Sequence, residues 1–397
     1  MSVIVLENGY VVTPYRVIEN GIVVIENGKI RDVGKRDEVK IPGDSWIIDV
    51  KGNYVVPGFI DIHLHGGGGA DTMDATYEAL NTISLAHAEG GTTAFIPSTV
   101  SAPLKDIINA IDAVREAMRI GTKGAKILGI HIEGPYISVE QKGAHDERFI
   151  RSPSKDEIDE LLNHVDVIKT ITAAPEIAGG LELGYIMSSR GVLMSIGHSN
   201  ATIYEVLKAV EAGYRHVTHI YSGCSMTRRI RAYRYPGVVE AAYLIDDLTV
   251  EMIADGKHLP PHLIKLILKN KTIGKVCIVT DAMMAAGLPP GKYKLGSIEA
   301  IVDEGVAWLP DRSAFAGSVA RMNTMIRFLV NDVGLTLQDA VMLASTNPAK
   351  IIGISHSKGS LSRGKDADIA VMDKELRVLM TIAEGRIVYR SKELYIE

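Results

Sequence analysis

The sequence predicts an α/β protein, a (β/α)8 barrel with a small β-sandwich domain built from both chain termini. From residue 55 onward, eight apolar strand candidates alternate with helical stretches, and eight parallel strands close such a barrel. Both ends of the chain instead contain short strands and turns, and chain termini usually lie close together. We therefore expect residues 1–55 and 355–397 to form the β-sandwich and residues 56–354 to form the barrel.

The composition is that of a globular protein. Of the 397 residues, 46% are hydrophobic and 23% are charged, and the net charge of −5 comes from interspersed signs. We therefore expect neither nucleic acid nor a membrane as a partner, and no apolar run reaches the roughly 18–20 residues of a membrane span. Because Cys224 and Cys277 form no CxxC pair and no hydrophobic signal segment is seen, we expect a cytoplasmic protein.

The first strands are short and separated by turns, and the Asn27-Gly28 dipeptide predicts a hairpin turn between two of them. These strands are predicted at residues 3–6, 10–13, 21–25, 29–33 and 46–49. The barrel strands are predicted at residues 55–63, 93–99, 127–133, 167–173, 192–198, 216–221, 249–254 and 275–281.

Two helices between the barrel strands are recognised by their side-chain spacing. Ser154 and Glu157 predict a capping box at the start of one of them. An apolar stripe at helical spacing in the other comprises Ile107, Ala110, Ile111, Val114 and Met118. After the last barrel strand we expect a hairpin-like stretch at residues 293–309, helices at about 318–334 and 337–351, and strands at residues 368–372 and 378–388.

Two histidines separated by one residue end the first barrel strand. Side chains alternate between the faces of a strand, so His63 and His65 point the same way and both imidazoles can reach one metal ion. The alternative is a pair of polar residues on the solvent face of an ordinary strand. Residues 55–62 read as a strand buried on both faces, where an unpaired imidazole is costly, so the sequence favours a metal site.

Other strand ends carry the same kind of side chain, and barrel enzymes place their chemistry at the carboxyl ends of their strands. The six candidate ligands are His63, His65, Glu133, His198, His219 and Asp281. Imidazole and carboxylate suit zinc, iron or a similar divalent ion, and the set is large enough for one or two ions, with Glu133 able to bridge them. His131 faces the same side as Glu133, but it is equally well explained as a supporting or structural histidine, so it is left out.

Several motifs resemble those of the amidohydrolase superfamily, and more narrowly those of the N-acetylglucosamine-6-phosphate deacetylase family. They are P-G-F-I-D-I-H-L-H-G-G at 57–67, G-I-H-I-E-G-P-Y at 129–136, G-H-S at 197–199, T-H at 218–219, V-T-D-A-M at 279–283 and G-K-D-A-D-I-A-V at 364–371. With the hairpin at 21–30, the resemblance covers essentially the whole chain. It implies a barrel with a two-ended β-sandwich, a homodimer, and hydrolysis of the acetamide of a sugar phosphate, N-acetylglucosamine-6-phosphate, to glucosamine-6-phosphate and acetate.

The resemblance also implies roles for individual residues. Glu133, His198 and His219 resemble the ligands of the main metal, and His63 and His65 resemble a pair that helps to hold a second ion. The remaining roles are a catalytic carboxylate for Asp281, polarisation of the acetyl carbonyl for His145, a substrate contact for His258, and a place in the phosphate-gripping stretch for Ser222, Gly223 and Arg234. In the family, the arginine at the position of Arg234 reaches the substrate across a dimer interface.

Residues 221–237 depart from the family pattern, because the loop is altered and longer before Arg-x-Pro-Gly. It gains Arg228, Arg229 and Arg231, which form either a stronger anion site or a solvated charged loop.

Two alternative functions remain for the protein. One is hydrolysis of a different N-acyl sugar, a dipeptide or a cyclic amide, and the other is a non-catalytic scaffold, which the intact ligand set disfavours.

Overall fold

Strands from the first part of the chain lie in one sheet. The structure, a computed structural model, describes residues 3–394. The first strands are β1 (Ile4–Val12), β2 (Val17–Glu26), β3 (Lys29–Lys35), β4 (Trp46–Asp49) and β5 (Tyr54–Pro57). Strands β1, β2 and β3 are antiparallel neighbours, and β4 and β5 run parallel to β1. Asn27 and Gly28 both have positive φ angles, as the predicted turn between β2 and β3 requires.

Strand β1 joins two segments that were predicted as separate strands, residues 3–6 and 10–13. Its pairing with β2 shifts register on both sides of Gly9, and Asn8 has a φ of 58°. Asparagine tolerates the left-handed region, so the chain bulges at this point and then continues in the same direction.

The middle of the chain contains two parallel sheets. Its strands are β6 (Phe59–Leu64), β7 (Gly66–Gly67), β8 (Ala70–Asp71), β9 (Thr92–Pro97), β10 (Lys126–Ile127), β11 (Ile130–Glu133), β12 (Ile168–Ala173), β13 (Leu193–Ile196), β14 (Tyr214–Val217), β15 (Arg228–Ile230), β16 (Tyr233–Tyr235), β17 (Thr249–Met252) and β18 (Val276–Ile278). One sheet has the order β10-β9-β6 and the other β11-β12-β13-β14-β17-β18. A parallel bridge between Ser98 and His131 connects the two sheets, and the Asp281 amide donates to His63 O at 2.9 Å.

The first predicted barrel strand, residues 55–63, is divided between two sheets. Its start belongs to β5 in the terminal sheet, and its end belongs to β6 in a parallel sheet. The division falls at Gly58, whose amide donates to Asp368 O at 2.9 Å. A Cβ atom at Gly58 would lie 2.2 Å from Thr93 Cγ2, so only glycine lets the chain pass this closely to β9.

The helices lie mostly between the parallel strands. They are α1 (Tyr77–Ala88), α2 (Leu104–Ile120), α3 (Lys155–Leu162), α4 (Gly180–Ser188), α5 (Ile203–Glu211), α6 (Val238–Leu244), α7 (Pro261–Asn270), α8 (Met322–Phe328), α9 (Leu337–Val341) and α10 (Asn347–Ile351). The predicted capping box of Ser154 and Glu157 is confirmed at the start of α3. The apolar stripe of α2 is buried except for Met118, which is 38% exposed.

The end of the chain returns to the terminal sheet. The last strands are β19 (Gly291–Leu295), β20 (Ile298–Asp303), β21 (Val306–Trp308), β22 (Ile369–Met372), β23 (Val378–Ala383) and β24 (Arg386–Arg390). Strands β19 to β21 form a separate antiparallel sheet, whereas β22 pairs with β5, so strands from both chain ends share one eight-stranded sheet. The single strand predicted at 378–388 is a hairpin, because Glu384 and Gly385 both have positive φ angles.

The terminal sheet has an apolar core of its own, which includes Leu6, Ile25, Ile369 and Met380. A larger apolar cluster lies among the parallel strands and their helices. No helix in residues 3–394 is both long enough and apolar enough to span a membrane.

Candidate active site

Side chains predicted as metal ligands meet at one edge of the parallel sheets. His63 lies in β6 and Glu133 ends β11, whereas His198, His219 and Asp281 follow β13, β14 and β18 within three residues. The carboxyl ends of parallel strands lie at the same edge, which explains why residues so far apart in sequence come together. With His65, the six side chains are buried, the most exposed being Asp281 at 8%.

Glu133 is the centre of the cluster. Its Oε1 atom lies 3.0 Å from His219 Nε2, 3.2 Å from His198 Nε2 and 3.4 Å from His63 Nε2. Its other oxygen, Oε2, lies 3.2 Å from His65 Nε2. One carboxylate therefore touches all four imidazoles, as a bridging ligand between two ions would.

Asp281 is a second carboxylate in contact with the first histidine pair. Its Oδ1 atom lies 3.0 Å from His65 Nε2 and 3.6 Å from His63 Nε2. Among residues 3–394, three groups of side chains are close enough to share an ion: His63 with Glu133 and His219; His63 with His65 and Asp281; and Glu133 with His145 and His198.

The four imidazoles are all oriented in the same way. Each donates its Nδ1–H to an oxygen outside the cluster: His63 to Glu251 Oε1 at 2.6 Å, His65 to Ser98 O at 3.3 Å, His198 to Gln141 O at 2.8 Å and His219 to Ser222 O at 3.0 Å. Carbonyl and carboxylate oxygens only accept, so Nδ1 carries the hydrogen and Nε2 faces the cluster. This arrangement is typical of histidines that bind a metal through Nε2.

Two further observations fit a divalent ion. His63 Nε2 is fully buried and has no hydrogen-bond partner within residues 3–394, which is costly unless a ligand occupies that nitrogen. The Nε2 atoms of His198 and His219 lie only 3.1 Å apart, too crowded for two protonated nitrogens. Nitrogen and carboxylate donors gathered this closely suit zinc or iron.

Three of the cluster residues have strained backbones. His198, His219 and Asp281 have φ angles of 47°, 24° and 47°. For residues with a Cβ atom this left-handed region costs of order 1–3 kcal/mol each and is found mostly at functional sites. In this conformation the backbone turns away from the strand at each of the three residues, while the side chain stays in the cluster.

The buried carboxylates favour positive charge in the cluster. Burial opposes protonation of His65, but hydrogen bonds with Asp281 and Glu133 raise the pKa of His65 to about 9. Burial would raise the pKa of Glu133, but the charge of His63 and hydrogen bonds from neighbouring imidazoles hold that pKa well below its usual range. Glu133 is therefore an ionised carboxylate that a cation can bind in place of protons.

His145 lies beside the cluster and differs from the other histidines in which ring nitrogen carries the proton. Its Nδ1 accepts the Ser101 backbone N–H at 3.1 Å, and the Ser101 hydroxyl lies 2.8 Å from the same nitrogen. A backbone N–H only donates, so the proton of a neutral His145 is on Nε2, 3.5 Å from Glu133 Oε2. Burial, with the charge of His198, lowers the pKa of His145 to about 4, so the ring is a neutral N–H donor.

A cavity of about 210 Å³ opens beside these groups. Of the predicted substrate contacts, His258, Ser222 and Gly223 line it, together with the apolar side chains of Leu295 and Phe315. The His258 ring is fixed by a 2.8 Å contact from its Nδ1 to Asp255 Oδ2 and packs on Phe315 with ring centres 4.8 Å apart. At Gly223, a Cβ atom would lie 2.8 Å from His198 Nδ1, so the close approach requires glycine.

Of the four predicted substrate contacts, Arg234 does not line this cavity. It is exposed in β16, where its Nη1 donates to Ala232 O at 3.0 Å. Arg229 lies directly opposite it in the two-stranded hairpin β15-β16. Within residues 3–394, no lysine or arginine lines the cavity.

Several residues of the site were not identified from the sequence. Glu251 and Asp61 are carboxylates inside apolar strands, a signal that could have identified them. Asp61 accepts hydrogen bonds from the Thr280 hydroxyl and amide next to Asp281, and burial raises its pKa to about 7. Ser101 gave no such signal, because its role is a contact with His145 that only folding creates. His131 contacts Ser98 and Thr172 and belongs to none of the three possible ligand groups.

Comparison with known proteins gives consistent results. Residues 54–388 match the Amidohydrolase family. N-acetylglucosamine-6-phosphate deacetylase of Bacillus subtilis is 36% identical over 395 residues, which cover 96% of each chain. The crystal structure of the deacetylase of the same name from Pasteurella multocida superposes with a TM-score of 0.91 at 30% identity, covering 97% of this chain and 99% of that one.

A mutant of the Mycobacterium smegmatis N-acetyl-D-glucosamine-6-phosphate deacetylase, solved in complex with N-acetyl-D-glucosamine-6-phosphate, superposes with a TM-score of 0.89 at 30% identity. The superposition covers 98% of this chain and 100% of the Mycobacterium smegmatis chain. The resemblance inferred from the motifs is confirmed over nearly the full length. The chain belongs to the amidohydrolase family and, within it, to the N-acetylglucosamine-6-phosphate deacetylases.

Proposed function

We propose that the protein hydrolyses the acetamide of N-acetylglucosamine-6-phosphate to glucosamine-6-phosphate and acetate, as a step of amino sugar metabolism. It is thus a hydrolase of carbon–nitrogen bonds other than peptide bonds. The observation that carries the proposal is the buried cluster of imidazoles and carboxylates around Glu133, beside a cavity, in a chain of this deacetylase family.

Glu133, His198 and His219 would hold one divalent ion, zinc or iron, and His63 and His65 would hold a second one with Glu133 as the bridge. The converging Nε2 atoms and the orphaned His63 Nε2 support this assignment. When bound, such an ion supplies Lewis acidity, which makes water a stronger nucleophile and an acyl oxygen more polarised.

Two residues would then carry the chemistry of the protein itself. Asp281 is ionised, because hydrogen bonding to His65 and the nearby imidazole charges lower its pKa despite its burial. It would take a proton from the attacking water and return it to the departing nitrogen. His145, neutral with its proton on Nε2, would donate a hydrogen bond to the acetamide oxygen as negative charge develops there.

The sugar would lie in the cavity against His258, Ser222 and Gly223. A phosphate needs a cation, and none lines the cavity within residues 3–394, whereas Arg234 is exposed on its hairpin. We therefore propose a homodimer in which Arg234 of one subunit binds the phosphate in the cavity of the other. The fork of guanidinium N–H groups matches phosphate oxygens in direction as well as charge.

The architecture would follow the family pattern. The bridge from Ser98 to His131 and the hydrogen bond from Asp281 to His63 support closure of the parallel strands into a (β/α)8 barrel over residues 56–354. Residues 1–55 and 355–397 would form the separate β-sandwich domain. A cytoplasmic location is supported by Cys224 and Cys277, which are both free and buried.

Metal removal tests the reaction class. After dialysis against a chelator, hydrolysis of N-acetylglucosamine-6-phosphate should stop, and zinc, iron, manganese or cobalt should restore it to different degrees. Metal content is measured in the same samples. Full activity in a demonstrably metal-free sample would contradict the proposal.

A substrate panel tests the assignment of the substrate. Comparison of kcat/KM for N-acetylglucosamine-6-phosphate, its unphosphorylated form, its galacto epimer, other N-acyl sugars, dipeptides and cyclic amides should place the first compound highest. A higher kcat/KM for an amide without a sugar phosphate would assign the site to a different amidohydrolase reaction.

A further inference from the structure

Glu251 is a buried carboxylate beneath the metal-ligand cluster. It lies in β17 and is 2% exposed. Its Oε1 accepts from His63 Nδ1 at 2.6 Å and from the His219 backbone amide at 3.1 Å, and its Oε2 lies 3.2 Å from His216 Nε2. His216 Nδ1 lies in turn 2.7 Å from the Thr249 hydroxyl.

The partners of Glu251 distinguish it from an ordinary structural ion pair. Within the described part of the chain, its ion-pair partners are two imidazoles and no lysine or arginine. Burying a carboxylate is expensive unless its lone pairs are satisfied, and here they are satisfied by two imidazoles and one backbone amide. Two of those groups belong to the candidate metal ligands His63 and His219.

His63 is also supported differently from the other three imidazoles. His65, His198 and His219 donate their Nδ1–H to backbone carbonyls, whereas His63 donates to the side chain of Glu251. Backbone carbonyls stay in place when side chains are replaced. The orientation of His63 therefore depends on one replaceable residue, in a strand that supplies no predicted ligand.

We infer that Glu251 is a positioning residue of the metal site, which holds His63 with Nδ1 protonated and Nε2 directed at Glu133 and Asp281. Through the amide of His219, it also fixes the turn that presents a ligand of the other ion. The inference rests on the proposed metal site but concerns binding rather than turnover. Removal of such a supporting carboxylate typically weakens metal binding about 10–100-fold.

The test compares zinc binding by the wild type, Glu251→Gln and Glu251→Asp, measured by competition with a chromophoric chelator without any substrate. Glu251→Gln should bind zinc 10–100-fold more weakly, and Glu251→Asp, which keeps the charge but is one methylene shorter, should lie between. Glu157→Gln is the matched control, because Glu157 of α3 pairs with Arg151 and has no histidine partner within residues 3–394. Its zinc affinity should equal that of the wild type, and circular dichroism checks that every variant is folded.

A second readout needs no variant of Glu251. In the zinc-loaded wild type, ¹⁵N NMR of labelled histidines should show a hydrogen-bonded proton on His63 Nδ1. A proton on Nε2 instead would overturn the inference, and so would Glu251→Gln binding zinc within twofold of the wild type. If zinc binding falls as expected but no sugar phosphate is hydrolysed, the inference stands and the proposed substrate is wrong; a wild type that binds no divalent ion overturns both.

Discussion

At the scale of single residues, a substitution of Asp281 tests proton transfer independently of metal binding. Asparagine is nearly isosteric with aspartate but cannot carry the proton, so Asp281→Asn should lower kcat about 10²–10⁴-fold, the usual contribution of a general acid–base group. The fold and the bound metal should be retained, since four imidazoles and Glu133 remain. The checks are kcat and metal content on one preparation, and near wild-type kcat with metal bound would mean that another group moves the proton.

His87 gives a residue-scale prediction about pH. It is fully buried in α1, where its Nε2 lies 2.9 Å from Gly66 O, and burial lowers its pKa from 6.5 to about 4. Between these values the unfolded chain binds the proton and the folded one does not. The stabilisation is therefore complete above pH 6.5 and is lost as the pH falls towards 4, to a total of about 3 kcal/mol.

The measurement is the free energy of unfolding in urea at several pH values from 7 to 4.5. The wild type should lose more stability over this range than His87→Gln, which has no imidazole to protonate. His356→Gln, at an exposed histidine outside the strands and helices, is the matched control and should follow the wild type. Parallel curves for the wild type and His87→Gln would show that His87 does not contribute to acid destabilisation.

At the scale of elements, the hairpin β15-β16 carries the prediction about phosphate. Arg234→Ala should weaken binding of the phosphorylated substrate by roughly 1.5–3 kcal/mol, the range for hydrogen bonds to charged groups, and leave unphosphorylated N-acetylglucosamine almost untouched. The measurement is kcat/KM for both sugars. Equal losses on both would make Arg234 structural, and a wild type indifferent to phosphate would mean that the altered hairpin no longer serves sugar phosphates.

Arg229→Ala provides the matched control for that experiment. Arg229 lies opposite Arg234 in the hairpin, and its replacement removes the same charge. If Arg234 makes a directed contact, Arg229→Ala should have a much smaller effect on selectivity. If the hairpin acts only through its summed charge, the two variants should behave alike.

Elements with a regular pattern could be predicted from the sequence, and those decided by close contacts could not. The alternation of strands and helices located the two parallel sheets, and the recurrence of His, Glu and Asp at strand ends located the cluster around Glu133. The need for glycine at position 58 comes from its contact with Thr93, and the position of the proton on His145 comes from its contact with Ser101. Neither partner is near in sequence, so no local pattern could reveal these contacts.

At the scale of the whole molecule, a cluster of charges around the buried Lys358 joins parts of the chain that are distant in sequence. Lys358 is 4% exposed, and its Nζ lies 2.7 Å from Asp368 Oδ2, 3.0 Å from Asp366 Oδ2 and 3.4 Å from Glu384 Oε1. Asp366 also pairs with Lys29 of β3, and Glu384 with Lys126 of β10. The cluster therefore ties the terminal sheet to the parallel strands.

Lys358→Met should destabilise the protein by about 3–5 kcal/mol, because it leaves the buried carboxylate of Asp368 without its cation. The combination with Asp368→Asn should recover part of that loss, since it removes the carboxylate nearest to the missing ammonium group. Lys292→Met, at an ion pair whose lysine side chain is 77% exposed, should cost no more than about 1 kcal/mol. Urea unfolding of the four proteins measures these differences, and a loss below about 1 kcal/mol for Lys358→Met would mean that apolar packing alone holds the terminal sheet against the parallel strands.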